Sequence, residues 1–277
     1  MTSHLKSSKK RKIKTHKHQR FGDSPLGRYD TSMFILKSTG LSKSYANRTV
    51  VDGVSYDVSQ GEIVGLLGRN GAGKTTSFRM TIGMVTPEKG SVIFNGEDVT
   101  RLPMYKRCQL GMGYLSQKAS VFAKLSVEKN LLAILETQPI NRKERKQRAQ
   151  QLMEKFDLAK CAKQAASTLS GGERRKLEIA RALITKPEML LLDEPFAAVD
   201  PVTVSDLQEE IRRLRDKEGI SILITDHNVQ QTLQVCDRAY IIDQGKVLRE
   251  GTPKELINDD LVKRTYLGDT FRGDEFD

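Results

Sequence analysis

The sequence predicts an α/β fold: a mostly parallel sheet, entered through a small N-terminal antiparallel β subdomain and interrupted by an inserted α-helical subdomain. Three observations predict it. Short apolar runs at residues 62–67, 189–193 and 220–225 have the length of buried parallel strands, and helix-forming stretches separate them. From Phe34 onward, clustered β-branched residues are punctuated by turn signals. Between residues 117 and 186 the chain becomes charged and helix-forming instead.

The elements follow in chain order. Residues 1–32 form a basic extension, in which Lys6, Lys9, Lys10, Arg11, Lys12, Lys14, Lys17 and Arg20 precede the first acidic residue, Asp23. So polar a segment cannot bury enough apolar surface to offset chain entropy, and it is expected to be disordered. It lacks the apolar stretch of a secretory signal. Three roles stay open for it: a solvated or upstream-translated extension with Met33 as an alternative start, contact with anionic lipid headgroups, or contact with RNA or DNA. Residues 33–277 make the folded body, with 117–186 as the helical insertion and 256–277 as a C-terminal tail. Within the body, Gly40, Asn47 with Arg48, and Asp52 with Gly53 read as turns in the β subdomain, and Asn95-Gly96 reads as a hairpin turn. A helix is expected from Thr75 to near Gly83, and another through Leu207 to Leu214.

Composition narrows the function classes. With 38% hydrophobic and 29% charged residues among 277, the chain is an ordinary globular protein. No apolar run approaches the roughly 20 residues of a membrane-spanning helix, so service to a membrane process requires docking onto another chain. The net charge of +11 is mostly local to the extension, and no nucleic-acid partner is expected of the body. Cys108, Cys161 and Cys236 lie far apart without metal-ligand spacing and are read as reduced thiols.

Chemistry enters at Gly68, Arg69, Asn70, Gly71, Ala72, Gly73, Lys74 and Thr75, followed by Thr76. This run fits the G-x-x-x-x-G-K-[ST] phosphate loop and lies between an expected strand and an expected helix. Glycines let successive amide N–H groups turn inward toward phosphate oxygens, and the following helix adds its positive end. Lys74 is expected on the β- and γ-phosphates of ATP, and the Thr75 hydroxyl on Mg²⁺. Further on, an apolar strand carries two acids at its carboxyl end, the ligand edge of open α/β sheets. Asp193 is the expected Mg²⁺-side acid, and Glu194 is placed to orient or deprotonate an attacking water.

Between these motifs lie Leu169, Ser170, Gly171, Gly172 and Glu173, which resemble the LSGGQ signature of ABC transporter nucleotide-binding domains, with Glu173 in place of the final Gln. The resemblance covers roughly residues 34–272. It implies a P-loop NTPase core of the RecA-like type, an ABC ATPase with ATP and Mg²⁺ as substrate and cofactor. It also implies a homodimer in which Ser170, Gly171, Gly172 and Glu173 of one copy meet the ATP held by the other. Position by position, Tyr45 resembles the aromatic that stacks on adenine, Gln117 the glutamine that senses Mg²⁺ and the transmembrane partner, and Val199 with Asp200 the loop that couples the two sites. His227 resembles the histidine that contacts the γ-phosphate. The resemblance adds transmembrane permease subunits as partners, with membrane contact only through them on the cytoplasmic face of the inner membrane.

Segments 84–85, 96–103, 111–114, 193–197, 199–201, 224–229, 235–240, 266–268 and 271–272 are similar to the branch of this family that powers lipopolysaccharide export. ATPases of branched-chain amino-acid importers rank second. Soluble non-transport members rank third, because they usually fuse two cassettes or carry a long coiled coil. Arg69 and Ser116 stand where the family usually has Pro, and Ala123 where a basic residue is common.

Overall fold

A computed structural model of the protein describes residues 34–118, 120–197 and 200–267. The basic extension, Met33, Val199 and the segment from Gly268 through Phe271 and Arg272 to the end lie outside the described residues.

The antiparallel subdomain consists of β1 (Phe34–Tyr45), β2 (Arg48–Ser59), β4 (Lys89–Phe94) and β5 (Glu97–Asp98), in the order β2-β1-β4-β5. The expected breaks at Gly40 and Asp52-Gly53 are not turns. Both fall inside long strands, where register shifts mark β-bulges and Gly40 and Gly53 take φ of 60° and 73°. A bulge absorbs an extra residue without reversing the chain, and glycine meets its positive φ without strain. The reversal itself falls at Ala46 and Asn47, both in the left-handed region. Asn95 and Gly96, with φ of 48° and 78°, close the β4–β5 hairpin as expected.

The larger sheet has the order β10-β9-β3-β8-β7-β6. Its strands β3 (Ile63–Leu67), β6 (Met112–Leu115), β7 (Met189–Asp193), β8 (Ser221–Asp226) and β9 (Arg238–Asp243) run parallel, and β10 (Lys246–Gly251) returns antiparallel at one edge. The alternating pleat explains the continuous apolar runs. Met189 and Leu191 face the antiparallel subdomain with Phe78 and Leu36, whereas Leu190 and Leu192 face the helical side with Leu131 and Leu177. Both faces of the strand are thus buried. The β9–β10 hairpin, turning at Gln244 and Gly245, was not among the expected elements.

The helices are α1 (Lys74–Ile82), α2 (Met104–Gln109), α3 (Val127–Leu135), α4 (Arg142–Lys155), α5 (Gly171–Ala182), α6 (Pro201–Glu218), α7 (Val229–Leu233), α8 (Pro253–Asn258) and α9 (Asp260–Val262). Gly83, at φ 85°, ends α1, and Arg107 locks that end. Its buried guanidinium donates to the carbonyls of Met80, Thr81, Thr100 and Leu102. The helices α3, α4 and α5 share one apolar cluster with α6 and the parallel strands. Cys161 and Cys236 are buried, Cys108 is half-buried, and all three are free thiols.

Candidate functional site

The phosphate loop leaves the carboxyl end of β3 and opens α1. Gly68, Gly71 and Gly73 have φ of 146°, 81° and 105°, a run that residues with a Cβ rarely adopt. A Cβ on Gly73 would also sit 2.7 Å from the Val50 carbonyl. Lys74 is buried, and its ammonium donates to the carbonyls of Gly68 (2.7 Å) and Arg69 (3.0 Å), two residues of the same loop. Burial lowers its pKa, against the opposing pull of Glu194, Asp226 and Asp193. Arg69, Asn70 and Gly71 are exposed at the rim, Ala72 is buried, and Thr75 and Thr76 are half-buried on the first turn of α1.

Across the sheet edge, Asp193 ends β7 and is 3% exposed. The Thr225 hydroxyl on β8 donates to its carboxylate at 2.8 Å, a contact set by the pairing of Asp193 with Thr225 in the parallel register. Glu194 follows with φ 46°, the left-handed region, held there by its amide donating to the Thr225 carbonyl at 2.8 Å. A side-chain residue in that region is strained and persists only where its surroundings hold it.

Three expected residues, far apart in sequence, converge at the Glu194 carboxylate. The Gln117 amide donates to Glu194 Oε2 at 2.7 Å, and His227 Nδ1 lies 3.4 Å from the same oxygen. Gln117 follows β6, Glu194 follows β7 and His227 follows β8, three adjacent strands whose carboxyl ends deliver them to one place. The cluster sits beside Lys74, which feels the charges of Glu194 and Asp193.

Ser170, Gly171, Gly172 and Glu173 open α5. The Ser170 side chain accepts from the Glu173 amide at 3.2 Å, and the Glu173 carboxylate accepts from the Ser170 amide at 3.1 Å. This reciprocal cap gives the Glu173 carboxylate a part in the helix start. The Ser170 amide donating to the Glu173 carboxylate lowers its pKa, against desolvation, and the Ser170 hydroxyl, Lys160 and Lys176 act in the same direction as that amide. Gly172 faces Thr203 on α6, whose methyl a Cβ would meet at 2.8 Å. A cavity of about 320 Å³ here is lined by Ser170, Gly172, Glu173 and Thr203 but by no phosphate-loop residue.

Tyr45 ends β1 with its ring 47% exposed and the Lys43 ammonium 5.7 Å from its centroid. Asp200 caps α6, accepting from the Thr203 amide (3.0 Å) and hydroxyl (2.6 Å), which hold its carboxyl below the ordinary range.

Asp226 was not singled out in sequence, although it belongs to the site. It ends β8 opposite Leu67, is 1% exposed, has its Oδ1 3.4 Å from His227 Nδ1, and exerts its charge on Lys74. Burial raises its pKa, only partly offset by the Asn228 amide and by His227. Its position beside His227 in the motif was the available signal.

Comparison with known proteins agrees with this geometry. The ABC transporter family model matches residues 51–197. The lipopolysaccharide export system ATP-binding protein LptB of Haemophilus influenzae is 50% identical over 241 residues, covering 87% of this chain and all of that protein. LptB of Escherichia coli K12 is 49% identical with the same coverage. Among solved structures, the ADP conformation of MJ1267, an ATP-binding cassette of an ABC transporter, superposes with a TM-score of 0.77 at 27% identity, covering 86% of this chain and all of that one. With its phosphate loop, paired acids and signature helix on this fold, the chain belongs to the ABC transporter family, as one of its ATP-binding, ATP-hydrolysing subunits.

Proposed function

We propose that this chain is the ATPase subunit that drives lipopolysaccharide export from the inner to the outer membrane, working as a homodimer docked on membrane-spanning permease subunits. The observation that carries the ATPase mechanism is the convergence of Gln117, Glu194 and His227 beside Lys74. The export assignment is supported by the two LptB relatives, whose whole length this chain covers at about half identity. Among the described residues no helix is long and apolar enough to cross a membrane, which fits a peripheral subunit held at the cytoplasmic face by its partner.

In this reading the phosphate loop, residues 68–76, cradles the ATP phosphates with Lys74 on the β- and γ-groups, and Tyr45 stacks on adenine. Phosphate replaces the Gly68 and Arg69 carbonyls as the partner of the Lys74 ammonium. Glu194 accepts the proton of the attacking water, and His227 faces the γ-phosphate. Ser170, Gly171, Gly172 and Glu173 of one copy close over the ATP of the other, with Asp200 at the same seam. Two half-sites on one chain are completed only in a pair.

The donor set suits Mg²⁺. Asp193, the Thr75 hydroxyl and the Gln117 amide are hard oxygen donors, and among the described residues no group of three or more His, Cys, Asp or Glu forms a self-sufficient cage. An ion bound by one carboxylate plus substrate phosphates matches that supply. When bound by Thr75, Gln117 and Asp193, Mg²⁺ supplies Lewis-acid polarisation of the transferred phosphoryl group.

The test is depletion of the chain in its own host with rescue by parent or Glu194→Gln. Lipopolysaccharide should build up at the inner membrane and clear only with the parent. Normal surface lipopolysaccharide together with lost branched-chain amino-acid uptake would replace the exporter by an importer.

A further inference from the structure

The ring of His227 stands between two carboxylates. Its Nδ1 is 3.4 Å from Glu194 Oε2 and 3.4 Å from Asp226 Oδ1. The two acids differ in surroundings. Glu194 Oε2 already receives the Gln117 amide, and Glu194 is partly open to solvent. Asp226 is buried at the end of β8, its Oδ1 receives the Asn228 amide at 2.9 Å, and its Oδ2 is buried without a hydrogen-bond partner. An orphaned carboxylate oxygen in the interior is costly, and the cost falls when a donor turns toward it. His227 is 44% exposed at its side chain, so its ring has room to turn.

We propose that Asp226 is a positioning residue for hydrolysis: it takes the Nδ1–H of His227, fixes the Nε2 edge of the ring toward the nucleotide, and thereby releases Glu194 to engage water. The inference rests on the roles given above to Glu194 and His227. No bond is broken in the step. One proton stays on Nδ1, which lies equally far from the two carboxylates in the structure, and is taken by Asp226. The bond a histidine makes through one nitrogen sets what its other nitrogen presents, and carboxylate partners of this kind are common orienters. Lys74, a cation that feels the charge of Asp226, is held by the Gly68 and Arg69 carbonyls at rest and is directed to phosphate when ATP arrives.

The experiment has one arm without nucleotide and one with it. The chain has four histidines, His4, His16 and His18 in the basic extension besides His227, so comparison with His227→Ala assigns the His227 ring in ¹⁵N-histidine NMR. At alkaline pH, where a free imidazole is neutral, Glu194→Ala should keep the proton on Nδ1, and Glu194→Ala with Asp226→Ala should move it to Nε2. With MgATP, Asp226→Ala should lower kcat about 10–100-fold while ATP affinity stays within about twofold, and Asp226→Asn, which keeps an acceptor oxygen, should recover most of the rate. A bare Nδ1 in Glu194→Ala alone overturns the proposal, as does an Asp226→Ala turnover close to the parent. Should Asp226→Ala fail to fold, the Glu194→Ala spectrum and the Asp226→Asn rate decide the matter. The ring spectrum is read without ATP, so its failure leaves the catalytic reading of Glu194 standing. Parental turnover in Glu194→Gln would remove that reading and leave the spectrum intact.

Discussion

In the proposed mechanism Glu194 carries the chemistry from a left-handed backbone position. Its left-handed φ is secured by the Thr225 carbonyl, and its Oε2 is bonded by Gln117 with His227 close by. Replacing the carboxylate by an amide preserves shape but removes the base. Glu194→Gln should therefore lower kcat by about 10²–10⁴-fold with ATP binding retained, since only the water-activating group changes. Single-turnover hydrolysis alongside nucleotide titration measures both quantities, and a proportionate loss of binding would place Glu194 in ground-state contact instead.

At the scale of elements, the signature is as much a helix start as a ligand surface. Glu173→Ala removes one arm of the Ser170 cap and should cost about 1 kcal/mol, whereas Glu173→Gln keeps an acceptor for the Ser170 amide and should cost only a few tenths. Denaturant unfolding of both variants distinguishes them, and equal losses would show that charge rather than the hydrogen bond holds the cap. The strands around the site were legible because burial on both faces forces unbroken apolar sequence, as in residues 189–193. Asn95-Gly96 was legible because few other pairs tolerate two positive φ values. The β9–β10 reversal was not, since it places Gln244 rather than Asn or Asp at φ 46°. Gly40 and Gly53 misled for a related reason: positive φ serves a bulge as readily as a turn, and only strand pairing tells them apart. Asp226 stayed hidden because an acid at a strand end reads as solvated, and its burial follows from β8 lying between β3 and β7.

For the whole molecule, the separation of the phosphate loop from the signature helix makes a mixing experiment decisive. Lys74→Met and Ser170→Arg subunits should each be inactive alone. Combined in equal amounts they should regain up to about a quarter of the parental rate, because half the pairs are mixed and each has one of two sites intact. No recovery, with ATP still bound by Ser170→Arg, would argue against completion across a dimer. Stability should also depend on pH in a defined direction. Burial would raise the Glu62 carboxyl, but its bonds with Arg238 and the Ser59 amide outweigh that and hold it below the ordinary range. Arg249 and the helix-end amides hold Asp259 below it too. A depressed folded pKa gives stability that is present above the unfolded carboxylate value, about 4, and is lost as pH falls through the folded one. Asp226 and Glu210, raised by burial, act in the opposite sense and relax on acidification. Urea midpoints should therefore be flat near neutrality and fall below about pH 4, with a shallower fall in Arg238→Met.

Gln117 and His227 approach Glu194 from different parts of the chain, one leading into α3 and the inserted helices, the other rooted on β8. In the proposed docking of a permease on the inserted helices, their movement would act on the Gln117 contact, while Asp226 acts on the His227 one. On that reading the Gln117 contact is a catch on the acid, and ATP turnover by the subunit alone should rise when its membrane partner is added.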